Sequence, residues 1–281
     1  MASGQIRWRR GLLSYAGRTL VMGVVNVTPD SFSDGGLYLE PDKAISRGLE
    51  LEDEGAAIID VGGESTRPGA RPIPAEEELR RVLPVVEGLA RRLSIPLSID
   101  TYKARVAEQA IAMGASMVND ISGLQFDAAL AGVVARAGVP VVLSHIQGTP
   151  ETMQRAPRYA DLLGEVKASL QAGIALAERA GVSPDAIIVD PGIGFGKTAA
   201  HNLELLRRLS ELQALGRPVL VGPSRKSFIG RVLGADGLVE EGTAAAVVAA
   251  ILHGANLVRV HDVARLRWAV RMADAIKFGV A

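Results

Sequence analysis

The chain has 281 residues, and its 31 basic side chains balance 31 acidic ones, so the formal charge is zero. That balance excludes a protein built to coat nucleic acid or an anionic membrane, since either needs a basic surplus. A make-up of 48% hydrophobic and 22% charged residues excludes a disordered chain, and the lack of cysteine excludes disulfides, cysteine-bound metals and thiol catalysis.

Residues 1–18 are basic and interrupted by Gly, Trp and Ser, without the apolar stretch of a signal peptide. Within them, residues 5–16 are expected to form a short hairpin or plug ahead of the first strand. Apolar β-type runs follow at 19–25, 57–61, 96–100, 116–119, 140–144, 186–190, 218–222 and 256–260. Most are continuous rather than alternating, as in parallel strands buried on both faces. Amphipathic segments lie between and after them, at 41–54, 75–92, 102–113, 128–137, 159–180, 202–213, 243–253 and 263–277. In the first, Ala44, Leu49 and Leu51 fall on one side and Asp42, Lys43, Arg47 and Glu50 on the other. Several helices close on a glycine, at Gly55, Gly114, Gly138, Gly181, Gly216 and Gly254. There the left-handed conformation ends the helix before the next strand. The longest apolar run, 244–252, is far shorter than the roughly 18–20 residues of a membrane span. A soluble cytoplasmic protein is the default expectation.

Eight strand–helix units in a chain of this length predict an α/β fold: one (β/α)8 TIM barrel, a single domain over 1–281 with a short N-terminal hairpin-like extension. The competing doubly wound sheet would carry G-x-G-x-x-G after the first strand and a second domain, and the sequence has neither. Polar or Gly-rich clusters end strand after strand, at 26–30, 62–68, 100–101, 119–120, 144–145, 190–192, 224–227 and 259–262. A helix cap or a turn explains any one cluster. It does not explain eight that converge on one rim, the rim where barrel enzymes place their active sites.

The residues in those clusters carry a family resemblance. Residues 24–36 read VVNVTPDSFSDGG and residues 59–69 read IDVGGESTRPG. SIDT at 98–101, VNDISG at 118–123, DPGIGFGK at 190–197, SRKS at 224–227 and VRVHDV at 258–263 follow. In this order, and over essentially the whole chain, they resemble the dihydropteroate synthases of the pterin-binding barrel family. Two departures stand out. Ser144 and Ile146 occupy positions where that family usually carries Met, and Phe228 replaces a smaller apolar residue beside the expected amine pocket. Neither removes a polar group.

The resemblance implies condensation of (7,8-dihydropterin-6-yl)methyl diphosphate with 4-aminobenzoate, giving 7,8-dihydropteroate and diphosphate on the route to folate. A pterin shows a guanidine-like edge that a carboxylate accepts as a fork, and Asp190 is the candidate. Asn119 matches mixed donor and acceptor positions, Lys226 donates to the ring carbonyl side, and Asp100 lies near the dihydro edge. Thr66, Arg67 and Pro68, with Phe195 and Ser227, resemble the aminobenzoate contacts. For the diphosphate the candidates are Asn26, Thr66, Arg67, Arg259 and His261. Arg259 supplies a phosphate-matching fork, and the amide oxygen of Asn26 is a hard ligand for Mg²⁺, the expected cofactor. Asp100, Lys226, Arg259 and His261 are the expected catalytic set. Loops 27–39 and 64–74 are expected to act as mobile lids.

An aromatic amine is neutral at pH 7, so no general base is needed. The expected order is dissociative loss of diphosphate, then attack by the amine. A homodimer is implied, with no nucleic-acid or membrane partner. Two other readings stand beside this one: a methyltetrahydrofolate-dependent methyltransferase of the same barrel family, and a non-catalytic pterin-binding paralogue.

Overall fold

The computed structural model describes residues 4–28, 41–234 and 238–279. An antiparallel hairpin of β1 (Gln5–Trp8) and β2 (Gly11–Ser14) precedes β3 (Leu20–Asn26). Then come α1 (Pro41–Asp53), β4 (Ile58–Gly62), α2 (Ala75–Ala90), β5 (Leu97–Asp100), α3 (Ala104–Ala112), β6 (Met117–Asp120), α4 (Leu130–Ala137) and β7 (Val141–Ser144). The chain continues through α5 (Leu162–Ala180), β8 (Ile187–Asp190), α6 (Ala199–Arg207), β9 (Leu220–Val221), α7 (Ser227–Leu233), α8 (Val239–Leu252), β10 (Leu257–Val260) and α9 (Val263–Phe278).

From β3 onward every paired strand is parallel, in the order β8-β7-β6-β5-β4-β3-β10-β9. A parallel bridge between Val189 and Val219 joins β8 to the β9 side and brings the ends of the sheet together. The result is the expected (β/α)8 barrel. Its seventh strand is only two residues long, against an expected five. Pro218 has no N–H to give, and Gly222-Pro223 ends the pairing.

Two helical expectations needed revision. The segment expected at 202–213 starts earlier, at Ala199, where Thr198 and His201 form a reciprocal cap. It then breaks at Arg208 into a 3₁₀ stretch, Leu209–Leu215. Helix α7 was not foreseen, because its seven residues offer too little periodicity to read.

Most of the apolar packing falls in two layers, with a small third cluster of Ile121, Met153 and Phe195. The larger cluster lies between strands and helices and includes Leu51, Val82, Val106, Val166, Leu205 and Leu266. A second fills the barrel interior with Met22, Ile58, Met117, Val142, Ile188, Leu220 and Leu257. Ile6 of the hairpin joins this inner cluster, fully buried, so the extension does plug the barrel. Burying such a side chain is worth about 1.5–3 kcal/mol. First and last barrel elements are also tied together. The buried carboxylate of Asp274 in α9 accepts from Thr19 N–H at 2.8 Å and Thr19 Oγ1 at 2.6 Å.

Side chains on one face of a strand recur every two residues. Two positions beyond the inner apolar layer stand Asp60, Asn119, Ser144, Asp190 and Arg259, alongside Val24 and, just past β9, Gly222. The barrel interior therefore changes from apolar to polar within one step toward the C-terminal rim. Among the described residues no helix is long and apolar enough to cross a membrane.

Candidate active site

At the C-terminal rim a cavity of about 820 Å³ opens. Its wall includes Asn26, Thr66, Arg67, Pro68, Asp100, Lys226, Ser227, Arg259 and His261. Nine of the predicted residues are thus brought to one wall. Asn119 and Asp190 are buried below it, 4% and 6% exposed. Phe195 is buried too, its ring 4.0 Å beneath the Lys226 ammonium. Residues 29–39 of the first expected lid lie outside the described residues.

The cations and carboxylates are interlocked. Arg259 Nε donates to Asp60 Oδ2 at 2.6 Å, and its Nη2 donates to Asp100 Oδ2 at 2.7 Å. Asn119 Nδ2 donates to the same Asp60 oxygen at 2.9 Å. Burial drives the Asp100 carboxyl up to about 7 against the pull of Arg259, with Asp60 and Glu78 adding to the rise. Burial lowers Lys226 to about 8, aided by Arg259 and opposed by Asp190 and Asp100. The Asp190 carboxyl is also pushed up by burial. The N–H of Gly192, at 2.7 Å, and the Ser144 hydroxyl support its charged form.

His261 is neutral at pH 7. Burial, then Arg259, Arg225, Lys226 and Arg67, lower it to about 3. The Ser224 hydroxyl accepts from the backbone N–H of His261 at 3.3 Å and lies 2.9 Å from its ring Nδ1. With the hydroxyl donating to Nδ1, the ring proton falls on Nε2, a donor for an anion.

Backbone geometry places these groups. Arg225 has φ 56, unusual for a residue with a side chain. Thr243 Oγ1 accepts from its N–H at 3.2 Å and Glu240 from its Nε at 2.6 Å, so the turn holding Lys226 is fixed from outside. Gly194, at φ 85, lies where a Cβ would come 2.9 Å from Lys226 Cδ. The lysine crosses that bare backbone to reach the Phe195 face. Phe228, expected beside the amine pocket, is instead 4% exposed and packed in the main core. Helix α7 turns it inward while Ser227 keeps the rim.

Loop 64–74 is tied down at its base. Glu64 accepts from Ile73 N–H at 2.9 Å, from Tyr102 Oη at 2.7 Å and from Lys103 Nζ at 2.5 Å. Lys103 also bridges to Glu78 at 2.5 Å, and Gly69 N–H donates to Pro150 O at 2.9 Å.

A sequence profile of the family described as pterin binding enzyme matches residues 22–261. Dihydropteroate synthase of Synechocystis sp. is 49% identical over 267 residues, covering 94% of this chain and 92% of that protein. The structure of Xanthomonas albilineans dihydropteroate synthase with 4-aminobenzoic acid superposes with a TM-score of 0.90 at 44% identity, over 98% of each chain. The enzyme of that organism in complex with 7,8-dihydropteroate gives a TM-score of 0.87 at 42% identity, over 97% of this chain and 98% of that one. The chain belongs to the pterin-binding enzyme family, among its dihydropteroate synthases.

For a member of the pterin-binding family, sequence reading left several groups unassigned. Asp60 is the first: a lone charge in the run 56–61, otherwise apolar, of a doubly buried strand. Glu64, Tyr102, Lys103 and Glu78 form the second, drawn together from two loops and a helix. Lys197 and His145 form the third, with Lys197 Nζ 2.8 Å from His145 Nδ1 and 3.0 Å from Phe195 O. Burial lowers Lys197 to about 7 and His145 to about 3.

Proposed function

We propose that the chain condenses (7,8-dihydropterin-6-yl)methyl diphosphate with 4-aminobenzoate, releasing diphosphate and forming 7,8-dihydropteroate, by dissociation first and amine attack second. The observation that carries this reading is one rim cavity with buried carboxylates below and anion-matching donors on its wall. Asp190 accepts the guanidine-like edge of the pterin as a fork. Lys226 donates to the ring carbonyl, and Asn119 takes the remaining ring donors. Arg259, Arg67, Thr66 and the Nε2–H of His261 receive the diphosphate.

The C–O bond breaks with its electron pair leaving on diphosphate. Positive charge spreads over the methylene and the dihydropterin, beside Asp100. The amine lone pair then forms the C–N bond, and the nitrogen loses its proton to solvent. The chain's work is electrostatic stabilisation at both ends of that charge separation.

The donor set around Asn26 fits Mg²⁺ carried on the substrate. Asn26 ends β3 on the cavity wall. No group of three or more His, Cys, Asp or Glu able to hold a metal occurs among the described residues. One amide oxygen suits a largely hydrated ion shared with phosphates. When bound, Mg²⁺ supplies neutralisation of the leaving diphosphate's charge.

The chain works in the cytoplasm as a homodimer in this reading. On α9, Trp268, Met272 and Ile276 recur every fourth residue and are 57%, 64% and 63% exposed. Such a stripe suits a second copy of the same surface.

Diphosphate release with Mg²⁺ and the pterin substrate tests the reading, with and without 4-aminobenzoate. Sustained release and dihydropteroate are expected only with both substrates. No dihydropteroate would overturn the reading, and undiminished turnover in excess chelator would remove magnesium from it. Sulfonamides share the shape and charge of aminobenzoate and are expected to compete with it.

A further inference from the structure

Asp60 is fully buried in β4 and absent from the cavity wall, yet its carboxylate reaches two residues assigned to substrate. One oxygen, Oδ2, accepts from Arg259 Nε and from Asn119 Nδ2, while Oδ1 has no hydrogen-bond partner. An orphaned buried carboxylate oxygen is costly. Nothing in the barrel's apolar packing calls for a charge at this level.

The guanidinium of Arg259 is held at two separate nitrogens by two carboxylates, Asp60 at Nε and Asp100 at Nη2. A guanidinium is planar, so fixing Nε fixes the direction of the terminal fork. Nη2 can exchange Asp100 for an anion while Nε stays in place. The same oxygen sets the Asn119 amide. With one Nδ2 hydrogen committed to Asp60, the amide plane is set, and Asn119 offers a ligand Oδ1 as acceptor and its second Nδ2 hydrogen as donor.

We propose that Asp60 is a positioning residue for the transfer reaction, a carboxylate sealed beneath the site that aims both the Arg259 fork and the Asn119 amide. It touches no substrate. Its charge competes with an incoming anion for Arg259 and thereby keeps that arginine aligned while the site is filled. This inference rests on the transferase reading given above.

The test is Asp60→Asn, which keeps the size and removes the charge. Freed of one carboxylate, Arg259 should bind inorganic diphosphate several-fold more tightly. Misaligned, it should slow single-turnover formation of dihydropteroate by about 10- to 100-fold, the scale of a 1 Å misplacement. General loosening would weaken both together. Opposed shifts support the proposal; parallel losses, or no change in either, overturn it.

Should Asp60→Asn not fold, the unsubstituted chain decides the matter by ¹⁵N NMR of its arginine side chains. The Arg259 Nε–H, assigned by comparison with Arg259→Lys, should remain protected from solvent exchange when inorganic diphosphate is added. Loss of that protection overturns the proposal. Failure of the transferase reading looks different: the unsubstituted chain would then form no dihydropteroate from the two substrates.

Discussion

Asp100 and Asp190 are both buried carboxylates of one site, in different company. Asp190 is supported by a backbone N–H and a hydroxyl, and in the proposed reaction it meets the pterin edge in the ground state. Asp100 is paired with Arg259, and in the proposed reaction its charge matters most once the dihydropterin turns cationic. Only interactions stronger in the transition state raise the chemical rate. Asp100→Asn is therefore expected to slow the single-turnover step by roughly 10²–10³ with little change in pterin affinity. Asp190→Asn should raise the pterin dissociation constant. Affinity loss with an unchanged rate in Asp100→Asn would make Asp100 a binding residue. The pH dependence of kcat/KM follows from the same groups. Falling pH protonates Asp100 as it passes about 7, and rising pH discharges Lys226 as it passes about 8. A narrow bell is expected; Asp100→Asn should flatten its acid limb and move its basic limb to lower pH, because Asp100 holds Lys226 up.

The loop between β4 and α2 begins on Glu64 and carries Thr66, Arg67 and Pro68 at the cavity, and its base is stapled rather than free. Lys103 Nζ sits between Glu64 and Glu78, whose side chains are 6% and 1% exposed. Burial already raises the Glu78 carboxyl, and Lys103 opposes that rise. Lys103→Met removes the cation that bridges this pair. Stability should fall by about 3 kcal/mol, the low end for a broken buried pair. The sign with pH is fixed: a carboxyl raised further in the folded state loses stability as pH increases through its folded value. Thermal unfolding should show a larger deficit at pH 8 than at pH 5. The KM for aminobenzoate should rise while pterin affinity holds, because the clamp acts on the loop and not on the barrel floor. Equal changes in both ligands would disprove that division.

For the molecule as a whole, the apolar rib on α9 is a feature that the barrel's own packing does not use. Trp268, Met272 and Ile276 lie on the side of α9 away from buried Leu266, Val270 and Ala273. Trp268→Glu or Met272→Glu is expected to shift the chain toward monomer in sedimentation or light scattering, with the fold intact. A wild-type chain that is monomeric at micromolar concentration would refute self-association through this face.

Much of this architecture was legible in the residues alone. Strand positions could be read because doubly buried parallel strands are apolar over most of their length, and helix ends because glycine is the residue that suits the left-handed caps, φ 97 at Gly181 and 66 at Gly138. The rim also declared itself, since eight polar clusters end eight apolar runs. Partners within the rim could not be read. That Arg259 rests on Asp60 and Asp100, or that Lys103 serves Glu64 and Glu78, depends on closure of the barrel. Closure sets Arg259 2.6 Å from Asp60, 199 residues away in sequence. Local pattern reports which side chains leave the apolar layer. Only the tertiary structure pairs them, because a buried charge takes whatever opposite charge the folded chain brings within reach.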